Sequence, residues 1–590
     1  MLFRRWHKSM LSVIVASAIV AGGGAVIPIA VANTDITPPA AVSFTYDPPT
    51  SFYFKLKWNA PADDGNVVGS GAATKYDLRY STSAINSGNW YKAQEVPFLP
   101  NPGTPGSSQY KVVSGLDPSK TYYFAMRTID DVGNVSGLST ITVTTAAQTC
   151  DVNIPFNNNV TQIYGGAGTN NSGKQYLGGN LGGKVVCLAG STTTRTNPIE
   201  FIDVVGQQDL PVKIVNNGDV YKLDTASASY GMKFTRSKYF QLSGNGVPGS
   251  YGISIKAVGP ALQVKSGSTN YELNHLKISS VNSVGMQLHS DLSCAAPGAA
   301  DDYSRTGFTQ RNTIVRDSLI ENVKKEGIYL GNSHYNEVVQ ITCGTVPNTY
   351  TVNKSEHALV GVRVFNNKTD YTGWDGIQVG GGIEDVKVYN NSVKNFATDN
   401  QRFQRTGIQI NPGTTGDVFN NYVQTGKGHG IMYLGRGGSS IFNNFVEGAS
   451  DSGIYVDKKE DQLNPPTFAQ GNIYVMNNTV KDVGTFGIEM RNDVAPISFM
   501  KNNFILMTGI GTTFNIYDNV GLIQTGTKAY YHNIANGFDT ISSNTTIPTS
   551  GPPYAIVNNG EDLSAYGVTF DFYYNPRPLS GGFDRGYIET

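Results

Sequence analysis

Two carboxylates each stand directly before a Gly-Ile pair: Glu326 precedes Gly327-Ile328, and Asp375 precedes Gly376-Ile377. Adjacent strands of a sheet lie about 4.8 Å apart, so the two side chains become near neighbours if residues 331–358 form a loop. Two carboxyl groups that close cannot both ionise freely, so one takes up a proton or a cation lies between them. We therefore predict a paired-acid site; the structural alternative is that one carboxylate only accepts hydrogen bonds from loop amides.

The Gly-Ile pair recurs along the chain, and alternation at period two directs every second residue after it outward. The outward residues are Gln263, Gln287, Tyr329, Gln378, Gln409, Met432, Tyr455 and Glu489, with Lys265, His289, Asn411, Asp457 and Arg491 two positions further on. Amides and tyrosines in a line suit sugar hydroxyls and rings. Trp374, directly before Asp375, would give a stacking platform because aromatic faces take up apolar sugar faces; alternatively it caps the core of its coil. The predicted substrate-binding residues are Trp374, Tyr329, Gln378, Gln409, Tyr455 and Arg491.

Titratable groups of both signs follow in the next repeats. His429 lies between two glycines, and Arg436, Asp457 and Lys458 come after it. We predict His429, Arg436 and Lys458 as candidate bases, although a lone histidine in a glycine-rich turn is often structural. Carboxylate oxygens are the ligands that Ca²⁺ prefers. The candidate calcium ligands are Glu326, Asp375 and Asp457.

Two repeats running in phase predict the elements that position these residues. Asn-Asn pairs begin at Asn366, Asn390, Asn420, Asn443, Asn477 and Asn502, in steps of 24, 30, 23, 34 and 25 residues. A repeat near 23 residues with longer steps indicates a solenoid whose coils stack and whose loops accept insertions. Asparagine tolerates left-handed backbone, so one asparagine at the same corner of every coil can stack into a ladder. Asn-rich surface loops, the alternative, fit the fixed spacing poorly.

The stacked Gly-Ile strands and Asn corners resemble the right-handed parallel β-helix of the pectate-lyase-like superfamily, over residues 150–590. The resemblance implies that each coil runs through strand one, strand two, an Asn turn and strand three, with the substrate cleft on strand one. The Gly-His-Gly triplet around His429, with Asp375 two coils earlier, faintly resembles polygalacturonase-type glycoside hydrolases. Where that family places an aspartate pair, this chain has Arg405-Thr406, so the hydrolase mechanism is not transferred.

Residues 37–146 form a separate unit of strands and turns. Trp58, the strand at 76–80 and Gly115-Leu116-Asp117-Pro118 resemble a fibronectin type III module. The predicted fold is therefore all-β, with a fibronectin type III β-sandwich before the right-handed parallel β-helix at 150–590. Such a module is typically a spacer or a weak binding unit, and we assign it no catalysis.

The N-terminus predicts export. Basic residues precede an apolar run that ends in Ala30-Val31-Ala32, which is typical of a signal peptide over residues 1–32, with a retained anchor as the alternative. Four cysteines suit an oxidising compartment and can pair in three ways. We favour Cys150 with Cys187, which would fasten the first coil. Cys294 with Cys343 would then tie the insertion near residues 290–305 to the long loop after Leu330.

Composition narrows the partner. Of 590 residues only 15% are charged and the formal net charge is -1, which argues against nucleic acid or an anionic membrane. We expect a secreted or cell-surface-associated monomer that meets a polysaccharide or a cell-surface glycan, with no transmembrane segment after signal cleavage.

Three functions fit these residues. A uronic-acid polysaccharide lyase, slightly favoured, needs a base beside a carboxylate whose charge is neutralised by Ca²⁺ or by cationic groups. A glycoside hydrolase needs two carboxyl groups about 5 Å or about 6.5 to 9.5 Å apart, and Glu326 with Asp375 would fit the shorter separation. A non-catalytic glycan-binding adhesin or surface scaffold is the third.

Overall fold

The computed structural model describes residues 35–457, except 228, 247, 248, 250 and 336, and the segments 472–490, 499–506, 516–518, 534–535, 556–560, 562–578 and 583–585. The predicted signal peptide, Lys458 and Arg491 lie outside these residues. Within the described segments there is no α-helix, and so none long and apolar enough to cross a membrane.

Three long parallel sheets form a right-handed parallel β-helix, as predicted. Sheet 1 has 13 strands: Gln162–Tyr164, Lys174–Tyr176, Ile199–Ile202, Met232–Thr235, Leu262–Lys265, Met286–Leu288, Ile328–Gly331, Ile377–Gly380, Thr406–Ile410, His429–Tyr433, Ile454–Val456, Ile488–Met490 and Ile516–Asp518. Sheet 2 has 12 strands: Val152–Ile154, Val185–Ala189, Val212–Asn217, Lys238–Ser243, Thr269–Asn274, Thr309–Arg316, Ala358–Phe365, Gly382–Tyr389, Gly416–Phe419, Ser439–Phe442, Ile473–Met476 and Phe499–Lys501. Sheet 3 has 11 strands: Tyr221–Thr225, Ile253–Ala257, Leu276–Val281, Leu319–Val323, Lys368–Thr372, Ser392–Phe396, Tyr422–Gly426, Phe445–Ala449, Thr479–Lys481, Phe504–Leu506 and Ile534–Ala535.

The Gly-Ile strands belong to sheet 1, and the glycine is what lets its coils approach. A Cβ on Gly327 would lie 2.5 Å from the carbonyl oxygen of Gly376, one coil further on. Each following isoleucine points inward: Ile328 and Ile377 pair and are fully buried. Because the apolar side chains of each coil are covered only by the neighbouring coils, stacking creates the core.

The asparagine pairs lie at the turn between sheet 2 and sheet 3. The first residue of each pair has left-handed backbone, as at Asn390, where φ is 55°. The second residue forms the predicted ladder: Asn367 Nδ2 donates to Asn391 Oδ1 at 3.1 Å, and Asn391 Nδ2 donates to Asn421 Oδ1 at 3.0 Å. The ladder continues through Asn444 to Asn503.

The insertion after Leu330 carries a two-stranded hairpin, Val339–Thr345 with Asn348–Lys354. Its Cys343 is bonded to Cys294, and Cys150 is bonded to Cys187, so both predicted pairings are confirmed. Since the insertion loops out, Tyr329 pairs directly with Gln378 across sheet 1.

Residues 35–146, the N-terminal unit, contain two antiparallel sheets. One comprises Thr45–Tyr46, Tyr53–Asn59 and Ser108–Ser114; the other comprises Gln94–Glu95, Lys75–Ser81, Thr121–Ile129 and Ser139–Thr144. Single-turn 3₁₀-helices occur at Val68–Ser70 and Trp90–Lys92. The two sheets are consistent with a β-sandwich, and the fibronectin type III identification stays a prediction.

The N-terminal unit packs on sheet 2. Glu95 accepts from Lys387 Nζ at 2.7 Å, Gln94 Nε2 donates to the Tyr389 hydroxyl at 2.9 Å, and Asn245 Nδ2 donates to Asp117 Oδ1 at 2.9 Å. The outward face of sheet 2 is therefore covered by residues of the same chain. Sheet 1 makes none of these contacts.

The C-terminal segment returns to the same side. It contains the strands Ile556–Gly560 and Phe583–Arg585 and a 3₁₀-turn at Ser564–Tyr566. Phe570 lies 5.3 Å from Tyr91 of the N-terminal unit and 6.1 Å from Phe442 of sheet 2, measured between ring centroids. Its packing adds to the cover on sheet 2.

Candidate active site

The predicted outward residues form one continuous row on sheet 1. Strand register places Gln263, Gln287, Tyr329, Gln378, Gln409, Met432, Tyr455 and Glu489 next to one another in that order. Eight strands at about 4.8 Å each give a row about 35 Å long, which is long enough for several sugar units.

Glu326 and Asp375, the acid pair, lie on neighbouring coils. The Gly327 N–H donates to the Asp375 carbonyl at 2.9 Å, which fixes the two backbones side by side. With its amide nitrogen facing the carboxyls, Gln404 donates to Asp375 Oδ2 at 3.0 Å and to Glu326 Oε1 at 3.3 Å. Because both oxygens contact the same nitrogen, Asp375 Oδ2 and Glu326 Oε1 lie within about 6.3 Å of each other.

Burial favours the protonated form of both carboxyls of the acid pair. Glu326 is 3% exposed and Asp375 is 0% exposed. Burial raises the pKa of Glu326 to about 7. Burial, and then the charge of Glu326, raise the pKa of Asp375 well above its usual range. Glu326 Oε2 is buried and has no hydrogen-bond partner in the described structure, so one oxygen of the pair remains unused.

Next to the acid pair lies the histidine cluster, which comprises Lys265, His289, Asp291 and Tyr329. Lys265 Nζ lies 2.8 Å from Asp291 Oδ2, and His289 Nε2 lies 3.4 Å from Asp291 Oδ1. The His289 ring packs edge-on against Tyr329 with centroids 4.9 Å apart. All four side chains lie on three successive strands of sheet 1 or directly after one.

The electrostatics of the cluster make His289 a neutral base. His289 is 5% exposed, and burial lowers its pKa, so the imidazole is uncharged near pH 7. The Asp291 carboxylate beside Nε2 keeps the ring hydrogen on that nitrogen. Nδ1 then carries a free lone pair, and it is buried with no hydrogen-bond partner among the described residues. Burial raises the pKa of Tyr329 to about 12, so its hydroxyl keeps its proton.

Gln378 also has unused hydrogen-bonding capacity. It is 0% exposed, and neither its amide nitrogen nor its oxygen has a partner in the described part of the chain. Its neighbour Gln409 is engaged, since its Nε2 donates to Asn411 Oδ1 at 2.8 Å and its Oε1 accepts from Thr406 at 3.2 Å. Unpaired buried polar atoms are costly, which makes Gln378 a candidate ligand contact.

Trp374 lies half-buried beside the acid pair and outside the apolar core. Lys325 Nζ lies 4.8 Å from its ring centroid, a cation–π contact. The indole therefore does not cap the core of its coil, and its position still suits stacking against a sugar.

His429 lies further along sheet 1, and its ring is held in place by the chain. Nδ1 accepts from the Ser452 backbone N–H at 3.2 Å, the ring centroid lies 4.5 Å from that of Tyr455, and Nε2 lies 4.0 Å from Asp451. Arg436 lies in the turn towards sheet 2. The predicted bases His429 and Arg436 are thus not brought to the acid pair, two and more strands away.

A calcium ion shared by Glu326, Asp375 and Asp457 does not fit the structure. Asp457 follows the strand that lies three strands from the strand of Asp375, a separation of about 14 Å, and its carboxylate accepts from the Tyr455 hydroxyl at 3.0 Å. A hydrogen-bond donor, the amide of Gln404, lies against both carboxyls of the acid pair. The structure therefore does not bring the three predicted ligands to one point, and calcium binding stays a prediction.

Sequence reasoning gave no role to His289 or Lys265 and missed Asp291 and Gln404. His289 and Lys265 were placed in the outward rows, and Asp291 continues their period of two beyond His289. That signal could have identified the histidine cluster. Gln404 reaches the acid pair from the loop at 397–405, and no repeat marks it.

One family model matches part of the chain. Residues 351–538 match the family model described as right handed beta helix region. No curated protein matches the chain. The chain is similar to an alginate lyase from Paenibacillus sp. str. FPU-7, with 15% identity over 57% of this chain and 91% of that chain and a TM-score of 0.28. It is also similar to the Family 28 exopolygalacturonase of Yersinia enterocolitica, with 10% identity over 81% and 98% and a TM-score of 0.29. Its identity to pectate lyase Pel9A is 13% over 73% of this chain and 96% of that chain, with a TM-score of 0.26.

Proposed function

We propose that this protein cleaves a uronic-acid polysaccharide by β-elimination on the outward face of sheet 1. One observation carries the proposal. A neutral histidine with an unpartnered ring nitrogen and a proton-holding acid pair lie on either side of Tyr329, over three consecutive strands. Perturbed titratable groups gathered in one place are typical of catalytic sites.

The elimination needs a base, a group that neutralises the uronate, and an acid. His289 Nδ1 takes the proton from C5, the carbon beside the carboxylate. The electrons of that C–H bond form the C4=C5 double bond, and the C4–O bond to the next sugar breaks. The leaving oxygen takes the proton of the Tyr329 hydroxyl, and the acid pair donates a hydrogen bond to the uronate carboxylate, which lowers the cost of charge at C5.

Hydrolysis by Glu326 and Asp375 is the second candidate function. A retaining hydrolase needs one carboxylic acid and one ionised carboxylate as nucleophile. Burial raises the pKa of Glu326 to about 7 and raises that of Asp375 well above its usual range, so the pair offers an acid readily and a carboxylate only as the pH rises. Elimination requires no ionised member of the pair.

The row of sheet 1 supplies the rest of the site. Gln378, with both amide atoms unpartnered, would bind sugar hydroxyls, and Trp374 would stack against a ring. Arg491 and Lys458 lie outside the described residues and keep their predicted roles as candidates. The two disulfides fit an oxidising compartment, and we propose a secreted protein.

The test is the purified chain on a panel of acidic and neutral polysaccharides, followed by ultraviolet absorbance and by reducing ends. Elimination leaves a C4=C5 double bond conjugated to the carboxylate, which absorbs. Rising absorbance on a uronate polymer is the expected result. Reducing ends without absorbance would mean hydrolysis, and binding without either would mean a glycan-binding adhesin.

A further inference from the structure

A cavity of about 210 Å³ lies in the seam between the N-terminal unit and sheet 2, remote from sheet 1. We call it the seam cavity; its lining includes Phe98 and Lys111 from the N-terminal unit, and Tyr239, Gln241 and Arg316 from the β-helix. At about 30 Å³ of liquid volume each, it would hold about seven water molecules. That is the scale of one sugar ring.

Most of the charged groups that line the seam cavity pair with an opposite charge. Arg316 Nη2 lies 2.6 Å from Glu272 Oε1, and Glu95 accepts from Lys387. Lys111 is the exception: its Nζ donates to the neutral Phe98 carbonyl at 2.8 Å, and burial, then the charge of Arg363, lowers its pKa to about 8. Apart from Lys111, a ligand would meet paired charges and neutral groups there.

Gln241 is a polar side chain of the cavity lining that has no hydrogen-bond partner. It is 2% exposed, and neither atom of its amide has a hydrogen-bond partner in the described structure. An amide offers donors and an acceptor side by side, the pattern that adjacent sugar hydroxyls complement. An unpaired buried amide destabilises the free protein, so a ligand that hydrogen-bonds to both atoms removes this unfavourable free energy.

Aromatic residues, among them Phe98 and Tyr239, form part of the cavity wall. Aromatic faces beside an amide suit a ring with apolar faces and polar edges.

We propose that the seam cavity binds one neutral sugar residue, as a site separate from the catalytic row. Gln241 pairs with two of its hydroxyls, and the aromatic wall contacts its ring. A ligand of this size in a mostly preformed site binds with a dissociation constant on the order of 1 mM.

The test is ligand-detected NMR of the full mature chain with D-glucose, D-galactose and D-mannose, and with D-galacturonate as the charged comparison. The variants are Gln241→Leu and Gln378→Leu, a matched pair because both glutamines are buried and unpartnered on different sheets. Leucine keeps a similar volume and removes both polar atoms. We expect saturable binding of at least one neutral hexose, weakened at least tenfold in Gln241→Leu and unchanged in Gln378→Leu.

Polysaccharide cleavage should change in the opposite way, being lowered in Gln378→Leu and kept in Gln241→Leu. No saturable binding of any neutral hexose would mean that the seam cavity holds water only, and would overturn the proposal. So would Gln241→Leu that binds like the wild type, or galacturonate that binds as tightly as the neutral sugars. The sugar-binding results do not depend on whether the chain cleaves a polysaccharide; only the cleavage comparison rests on the proposed function.

Discussion

Sheets 1 and 2 both present polar rows outward, and the chain treats the two rows differently. On sheet 2 the row includes Lys213, Gln241, Glu272, Ile314, Arg363, Lys387 and Asp417. Most of its charges meet partners: Lys387 and Arg363 lie 2.7 Å and 3.8 Å from Glu95 of the N-terminal unit. In those contacts the charges of sheet 2 are paired with charges of the N-terminal unit.

On sheet 1 several buried polar atoms lack partners. His289 Nδ1, Glu326 Oε2 and both amide atoms of Gln378 are buried and lack partners among the described residues. Buried polar groups are normally satisfied, and exceptions need an explanation. On the covered face most charges pair across the contact with the N-terminal unit, and Gln241 is the unpartnered exception; on sheet 1 the unpartnered atoms gather around the acid pair and His289, as in a ligand site.

The largest effect should come from the base. Replacing His289 with glutamine removes the basic nitrogen while keeping a polar side chain, so kcat should fall by about 10²–10⁴-fold. The free energy of unfolding should fall by about 1–2 kcal/mol, because the variant loses the contact of Nε2 with Asp291 and that of the ring with Tyr329. Turnover assays and urea denaturation measure the two quantities.

The matched control for His289 is His275→Gln. His275 lies next to the sheet 2 strand that ends at Asn274, and its Nδ1 lies 2.9 Å from Asn274 Oδ1. It should keep wild-type turnover per folded molecule. Equal loss in both variants would show that the sheet 1 histidine is structural and would remove the contrast between the faces.

Two glutamates should then give opposite pH dependence. Glu326 on sheet 1 has its pKa raised to about 7, so the folded state loses stability as pH rises from about 4.5 to about 7. Glu326→Gln should therefore raise the free energy of unfolding at pH 8, by up to about 3 kcal/mol, and change it little at pH 4.

Glu95, against sheet 2, has its pKa lowered to about 2; burial opposes this shift, and the charges of Lys387 and Arg363 outweigh it. Its stabilisation is present above about pH 4.5 and is lost as pH falls towards 2. With its side chain 31% exposed, Glu95→Gln should lower the free energy of unfolding at pH 8 by about 1–2 kcal/mol. Denaturation of both variants at pH 4 and pH 8 measures the signs; the same sign for both would contradict the comparison.

Much of the fold could be predicted from the sequence because the residues that determine it are local and repeated. A glycine before each isoleucine and an asparagine at each corner recur once per coil, and each acts through its immediate neighbours, as Gly327 does on Gly376 and Asn391 on Asn421. The sheet 1 row follows from the same register, and the insertion between Leu330 and Ala358 lies between two marked strands.

Contacts between segments far apart in the sequence could not be predicted from it. Glu95 contacts Lys387 from 292 residues away in the sequence, and no pattern near either residue indicates the partner. Gln404 reaches the acid pair from an irregular loop, and Asp457 shares the row with Asp375 at too great a distance to share a ligand. Periodicity predicts which face a residue occupies, and only the packed structure shows what covers that face.

A smaller effect should follow from Gln404→Ala. Its amide donates to both carboxyls, and donation favours the ionised form, so its removal should raise the pKa of the acid pair further. The fall in kcat/KM on the alkaline side should move to higher pH, with less than about a tenfold change at the optimum. A pH–rate profile measures both.

Gln94→Ala is its counterpart on the covered face, where Gln94 donates to the Tyr389 hydroxyl. It should cost about 1 kcal/mol of stability and leave the pH–rate profile unchanged. An alkaline limb that moves in Gln94→Ala, or stays fixed in Gln404→Ala, would mean that the acid pair does not set it.

The smallest effect should be that of a chelator. The acid pair neutralises the substrate carboxylate with protons, since its carboxyls hold raised pKa values and contact the Gln404 amide. Activity at pH 6 should therefore change by less than about twofold after treatment with EDTA and dialysis. Loss of activity that Ca²⁺ restores would place a cation on sheet 1 and not a proton. The charges of sheet 1 would then be paired like those of sheet 2, with a bound ion in place of the N-terminal unit.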